Sequence, residues 1–186
     1  MVMATLVPRY TAAEVRKFDD PRLRFEVIRG ELFVTPGPGS PHQIAVVKLA
    51  RWLDEYLEAQ RLGIVLTGPF EVLFTKDSAV QPDVIAVLDA ERRQLTRRRL
   101  NGPPALAIEV VSFSSKRTDR LQKRLLYQEE GVPEYWIVDL GLRQVERWRP
   151  GDAEPTILRE RLTWRPAGAK APLEMDLAAL FRACEV

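Results

Sequence analysis

The stretch Ala105-Leu106-Ala107-Ile108-Glu109-Val110-Val111 reads as a short buried strand whose apolar run is broken by one carboxylate. An ionised acid in such surroundings is costly unless it is paired or holds a metal. A second apolar run, Pro82-Asp83-Val84-Ile85-Ala86-Val87-Leu88, opens on another acid. Adjacent strands would bring Asp83 and Glu109 close together. Two hard oxygen ligands, with waters left on the ion, are what Mg²⁺ prefers. Such an ion polarises a phosphate and acidifies a bound water. Singly, Asp83 reads equally well as a solvent-facing residue at the start of a strand, and Glu109 as the partner of a neighbouring arginine. Jointly the pattern is more specific, and a metal site is the first expectation.

Helix and strand signals alternate around these two runs. Thr11 to Phe18 reads as a short helix, with Thr11 and Glu14 in capping-box spacing. Phe25 to Thr35 alternates as a hairpin turning at Arg29-Gly30, and Pro36-Gly37-Pro38-Gly39 then forces a loop. Ser40 as N-cap, Pro41 and Gln43 start a helix that runs to about Gln60, with Ile44, Val47, Leu53 and Leu57 among its apolar positions. Strands follow over Ile64 to Thr67, Phe70 to Thr75, Pro82 to Leu88 and Ala105 to Ser112. A second helix spans about Lys116 to Glu130, ended by Gly131 and Pro133. Glu134 to Asp139 is another strand. Gln144 to Arg149 and Ile157 to Trp164 form a closing antiparallel hairpin, and Met175 to Phe181 a last short helix. The order gives an α/β (α+β) layering: a mixed central sheet flanked by helices, with an N-terminal and a C-terminal antiparallel hairpin, in one domain over residues 1–186.

Composition narrows the function classes. The 186 residues suffice for a real core, and 46% hydrophobic with 29% charged residues is ordinary for a soluble globular protein. No apolar run approaches the ~20 residues of a membrane span, and the apolar part of the N-terminus is too short for a signal peptide. A cytoplasmic protein without membrane association is expected. The single cysteine, Cys184, leaves no internal disulfide and no Cys-rich zinc site. Net charge is only +2, so the molecule is no polycation, yet 22 of its 28 basic residues are Arg. That bias suits phosphate contacts, and equally a GC-rich genome or a thermophile. Arg92, Arg93, Arg97, Arg98 and Arg99 lie between the two acidic strands, and Lys116, Arg117, Arg120 and Arg124 lie on or near the second helix. Arg92, Arg93, Arg97, Lys116 and Arg120 are candidate contacts to a nucleic-acid backbone. The plainer reading of such runs is a solvated surface.

Three further groups can join the chemistry. Asp119, Lys123 and Tyr127 follow at i, i+4 and i+8 on one face of the second helix, with Leu121 and Leu125 pointing roughly the other way toward a core. An exposed Asp–Lys pair there is worth only ~0.3–0.5 kcal/mol. Leu126 and Tyr127 lie on or near that face, however, so Lys123 is not expected to be fully wet. Held near two carboxylates, it would orient a water or stabilise charge developing on phosphate. His42, the single histidine, sits in the first turn of a helix, where the dipole disfavours a protonated ring; it reads as a phosphate contact or as an ordinary polar first-turn residue. Glu26 and Glu31 flank the Gly30 turn, and spacing does not decide which faces the site.

These residues together resemble the restriction-endonuclease group often called the Uma-two family, a bacterial branch of the PD-(D/E)xK nuclease superfamily. The resemblance runs through Phe25-Glu26-Val27-Ile28-Arg29-Gly30-Glu31-Leu32, the loop to His42, Gln81-Pro82-Asp83-Val84, Ile108-Glu109-Val110-Val111-Ser112, the helix positions Asp119, Lys123 and Tyr127, and Gly131-Val132-Pro133-Glu134-Tyr135-Trp136-Ile137-Val138-Asp139. These ordered matches cover roughly residues 11 to 150. The resemblance implies a restriction-endonuclease-like core and Mg²⁺-dependent phosphodiester hydrolysis, with Mn²⁺ as substitute. It makes Asp83 and Glu109 metal ligands, with a backbone carbonyl near Val110 as a third. It also matches the family's Gly-Glu and His positions to Glu31 and His42, as a group completing the metal shell and a phosphate contact. The wider superfamily expects Lys two residues after the Glu, on the same strand face; Val111 stands there, and Lys123 would supply the ammonium from the helix.

The expected function is therefore a Mg²⁺-dependent endonuclease acting on DNA, with Asp83, Glu109, Lys123, Glu31 and His42 as catalytic residues. The rival is a decayed nuclease fold serving as a nucleic-acid-binding or protein-interaction module. A third reading is a homodimer subunit pairing through apolar edge strands near Trp148 and Trp164.

Overall fold

The computed structural model describes residues 9–111 and 117–185, with side chains for 9–111 and 121–185. In chain order the elements are α1 (Ala12–Val15), β1 (Leu23–Ile28), β2 (Glu31–Pro36), α2 (Ser40–Gln60), β3 (Gly63–Thr67), β4 (Glu71–Thr75), β5 (Ser78–Val80), β6 (Val84–Leu88), β7 (Arg99–Asn101), β8 (Leu106–Val111), α3 (Arg117–Glu129), β9 (Tyr135–Asp139), β10 (Gln144–Trp148), β11 (Thr156–Leu158), β12 (Arg161–Trp164), β13 (Leu173–Asp176) and α4 (Leu177–Ala183). Among these, no helix is long and apolar enough to cross a membrane.

The strand of Glu109, β8, lies inside a six-stranded mixed sheet of order β11-β10-β9-β8-β6-β3. It pairs antiparallel with β6 and parallel with β9. A parallel pair needs a crossover, and α3 supplies it. Because β6 and β8 are covered on both faces, they read as continuous apolar runs. On one face, Val84, Ala86, Leu106, Ile108 and Val110 pack against α2, α4 and the β12–β13 ribbon. On the other, Ile85, Val87, Ala107 and Val111 pack against α3 and a five-stranded sheet of order β2-β1-β5-β4-β7. Helix α2 contributes Leu49, Leu53 and Leu57 at i, i+4 and i+8, all at most 1% exposed. Each stabilises the layer by roughly 1.5–3 kcal/mol through loss of contact with water.

The architecture is the expected restriction-endonuclease-like one. The β1–β2 hairpin turns at Arg29 and Gly30, both with positive φ (52° and 82°), the left-handed pair whose twist matches the flanking strands. The Thr11–Glu14 capping box forms as read. Several local expectations do not survive. Helix α2 is capped by Gly39, which has no side chain to accept from the first turn, because Ser40 is already helical and Gly39 is the extended residue before it. Val47 is 65% exposed, and the buried stripe runs through Ala45, Val46 and Leu49 instead. Leu121 is exposed and Leu126 and Tyr127 are buried, so α3 turns the Lys123 face, not the Leu121 face, toward the core. The closing hairpin is split. β10 pairs with the short β11, while β12 pairs with β13 in a separate ribbon. Trp148 and Trp164 lie in the two cores, not on apolar edges. The short strands β5, β7 and β13 carry no period long enough to read.

Candidate active site

The site forms where the chain leaves one sheet and enters the other. β5 pairs with β1 in the five-stranded sheet, and three residues later β6 begins in the six-stranded sheet. Asp83 is the last residue of that crossing. The β6–β8 register pairs Val84 with Ile108 and Ile85 with Ala107. One step further sets Asp83 opposite Glu109, on the sheet face that meets α3. The ladder ends there: the Val110 N–H donates to Asp83 Oδ2 at 2.8 Å. The two acids of the sequence motif are thus neighbours on one face, both buried.

Cationic and polar groups from three elements, β1, α2 and α3, close around them. Arg24, on β1, donates to Asp83 Oδ1 at 2.9 Å and to the Gln81 carbonyl at 3.1 Å. His42, in the first turn of α2, places Nε2 2.9 Å from Asp83 Oδ2, and its buried Nδ1 has no hydrogen-bond partner among the described residues. Lys123 Nζ lies 2.9 Å from Glu109 Oε1 and 2.8 Å from Glu26 Oε2. The Tyr127 hydroxyl donates to the same Glu109 Oε1 at 3.0 Å, and the ring is held against Tyr135 and Phe74. The Gln81 N–H donates to Glu26 Oε1 at 2.6 Å. Three carboxylates are therefore gathered with two permanent cations, Arg24 and Lys123, and one imidazole.

That charge balance sets the proton affinities. Burial alone would push the Asp83 carboxyl up. The His42 hydrogen bond, the Arg24 and His42 charges and the Val110 N–H outweigh it and hold the group at about 2. Glu109 goes the other way. Burial raises its carboxyl, Lys123 lowers it, and the Asp83 and Glu26 charges raise it again, for a result of about 7. For Lys123, burial opposes the charge, but Glu109 and Glu26 raise the ammonium above its ordinary value. Burial and then Glu109 push the Tyr127 phenol up, so it stays a donor.

Among the described residues, no three acidic, histidine or cysteine side chains converge as a ready-made metal cage. Mg²⁺ asks for less: one or two carboxylates, with waters and substrate phosphate completing the shell. Asp83 and Glu109 offer hard oxygens, and among the described residues the side-chain hydrogen bonds of Glu109 fall on one oxygen only. The pair fits a divalent oxygen-seeking ion.

Of the candidates read from sequence, Asp83, Glu109, Lys123 and His42 come together. Glu31 does not. The hairpin register sets it opposite Ile28 at the exposed end of β2, just past the turn, while Glu26 faces the cluster. Glu26, Ile28 and Glu31 share one face of the hairpin, so alternation alone did not single out Glu26. Arg24 shares that face two residues earlier, and no apolar period marked it. Arg92, Arg93 and Arg97 are exposed and follow the far end of β6, whose five residues put about 16 Å of extended chain between them and Asp83. Lys116 lies outside the described residues, as do the side chains of Asp119 and Arg120. Val111 is buried beside Leu126 and Tyr127.

The fold has a solved counterpart. A crystal structure described as that of a putative nuclease belonging to DUF820, from Anabaena variabilis ATCC 29413, superposes with a TM-score of 0.81 at 19% identity, over 94% of this chain and 99% of that one. No curated protein matches the sequence. Residues 8–179 match the family Uma2, described as "Putative restriction endonuclease". With that match spanning nearly the whole chain, the protein belongs to the Uma2 family.

Proposed function

We propose that the protein is a divalent-metal-dependent endonuclease that hydrolyses phosphodiester bonds in DNA, with Mg²⁺ as cofactor and Mn²⁺ as a working substitute. The observation that carries this reading is the Asp83–Glu109 pair: two buried carboxylates on adjacent strands, sharing one face, with Lys123 bonded to the second. These two would hold the ion. In an extended strand the N–H and C=O of a residue face the same neighbour, so the Val110 carbonyl faces the Asp83 side and is the natural third ligand. Bound there, the ion would draw charge from the phosphate and acidify a water.

The chain's own residues do the rest. Arg24 and His42 fix the orientation of Asp83, and Tyr127 holds Glu109 by one oxygen. Lys123, charged at any working pH, keeps one of its three N–H donors for the attacking water or for the phosphate oxygen where charge accumulates. His42 sits in the first turn of α2, whose free N–H groups suit a phosphate.

The test is calorimetric titration of Mn²⁺ into wild type, Asp83→Asn and Glu109→Gln, followed by nicking of supercoiled DNA with Mg²⁺ or with chelator. Binding lost in both variants, with metal-dependent nicking by wild type alone, is the expected result. Equal binding in all three proteins, or none in wild type at millimolar metal, overturns it.

One observation favours a second reading, a nucleic-acid-binding or protein-interaction module that has lost catalysis. Val111 stands where the superfamily has lysine, and Asp83 is already paired with Arg24 and hydrogen-bonded to His42. Under that reading Glu109→Leu stabilises the protein and leaves its binding unchanged.

A further inference from the structure

Glu26 takes no part in the steps above, yet it is 2% exposed and both of its oxygens are engaged. One oxygen fixes the backbone at Gln81, two residues before Asp83, in the crossing between sheets. The other meets Lys123. A lysine reaching in from a helix has a flexible four-carbon stem, and one contact with Glu109 would leave its ammonium free to swing. A second carboxylate, set on a different sheet, removes that freedom.

We infer that Glu26 is the positioning residue of this site: a buried carboxylate on β1 that clamps the Lys123 ammonium beside Glu109 and ties it to the segment carrying Asp83. This rests on the nuclease reading for its catalytic consequence, though not for the clamp itself. A lysine at position 111 would be aimed by its own strand. Lys123 comes from a separate element and needs an external aim, and Glu26 supplies it. Glu26 is not a metal ligand here, since a cation at its Oε2 would have to displace Lys123.

The variant is Glu26→Gln. It keeps an acceptor oxygen for the Gln81 N–H and removes the charge facing Lys123. Three measurements follow. Acetic anhydride labelling read by mass spectrometry reports the access of each of the six lysines. Mn²⁺ calorimetry reports the acid pair. DNA nicking is measured for Glu26→Gln in the wild-type and Lys123→Met backgrounds. We expect labelling to rise about tenfold at Lys123 alone, Mn²⁺ affinity to change by less than about threefold, and kcat to fall ~10–100-fold at unchanged KM. In the Lys123→Met background Glu26→Gln should add nothing. A rise at all lysines alike, no rise at Lys123, or a tenfold or greater loss of Mn²⁺ affinity overturns the assignment. Wild type that binds Mn²⁺ but nicks no DNA sinks the functional reading instead, while the labelling still decides the clamp. If Glu26→Gln does not fold, Glu26→Asp keeps the charge and shortens the reach by one methylene. Lys123 labelling must then rise in that variant, or the clamp is refuted.

Discussion

Removing the Glu109 charge should stabilise the metal-free protein at alkaline pH and do little at acid pH. The carboxyl is carried from 4.5 to about 7 by burial and by the Asp83 and Glu26 charges, against Lys123. The folded state therefore holds a proton that the unfolded chain has already released, so stability from this group is full below pH 4.5 and is lost as pH rises through 7. The whole effect is about 3 kcal/mol, most of it falling between pH 5 and pH 8. Glu109→Gln mimics the protonated acid, keeps the shape, and has no such dependence. Urea unfolding of both proteins in chelator, at half-unit steps from pH 5 to 8.5, gives the difference directly. Glu109→Gln should match wild type near pH 5 and exceed it by about 2–3 kcal/mol at pH 8.

The same charge that destabilises the metal-free protein is the one a cation would neutralise. Mn²⁺ at a hundredfold excess over its Kd should return about 2.7 kcal/mol to wild type at pH 8 and nothing to the variant. A flat difference between the proteins across pH would refute the argument. So would a Glu109→Gln variant less stable than wild type by several kcal/mol at pH 8, which would make the Lys123 pair a net stabiliser of the fold.

Tyr127→Phe keeps the packing on Tyr135 and Phe74 and removes one donor to a buried carboxylate, so urea unfolding at pH 8 should show a loss of about 1.5–3 kcal/mol. Gly63→Ala would place a methyl 2.2 Å from the Val87 carbonyl in the β3–β6 pair, where neither backbone can yield, and its thermal midpoint should fall by the equivalent of about 1–3 kcal/mol or more. Val47→Asp, on the exposed side of α2, should stay within about ±0.5 kcal/mol of wild type in the same melt; a large loss would mean that this face is covered in solution.

How far the fold could be read depended on what carries each element. β6 and β8 are apolar on both faces, and their two acids stood out because nothing else in either run is polar. The hairpin at Arg29-Gly30 and the length of α2 follow from local chemistry that needs no partner. What failed was set by distant contacts. Helix α3 offers Leu121 and Leu125 on one side and Lys123 and Tyr127 on the other, and periodicity alone favours burying the leucines. The structure buries the lysine face, because two carboxylates, Glu26 and Glu109, lie beneath it and bond Lys123. Ser40 looked like a cap by type, but the cap is one residue earlier, where the Gly39 backbone is extended. Glu26 and Glu31 were not separable by alternation from the turn. Both lie on one face of the hairpin, and only the position of the second sheet decides that the inner one is covered.

On the nuclease reading proposed above, that second sheet also bears on why the lysine comes from a helix and not from the strand of Glu109. Position 111 shares the face of Glu109, but in this chain that place is filled by hydrocarbon. Val111, Leu126, Tyr127 and Ile137 pack into one cluster that seats α3 on the sheet. A lysine at position 111 would have to enter that seat. With valine there, α3 sits close enough for Lys123 to reach Glu109 at 2.9 Å and for Tyr127 to bond the same oxygen. The ammonium then comes from the next element along the chain and not from the strand of the acid it bonds, and its placement is no better than the rigidity of α3 and of the hairpin that carries Glu26. The turn of that hairpin is tied in turn to α3 by the Arg29–Glu129 ion pair and to β5 by the Arg29 N–H bond to Ser78. With the cation on α3, the demand for precision falls on the contact between β1, β5 and α3, where Glu26 meets Lys123 and Arg29 meets Glu129 and Ser78.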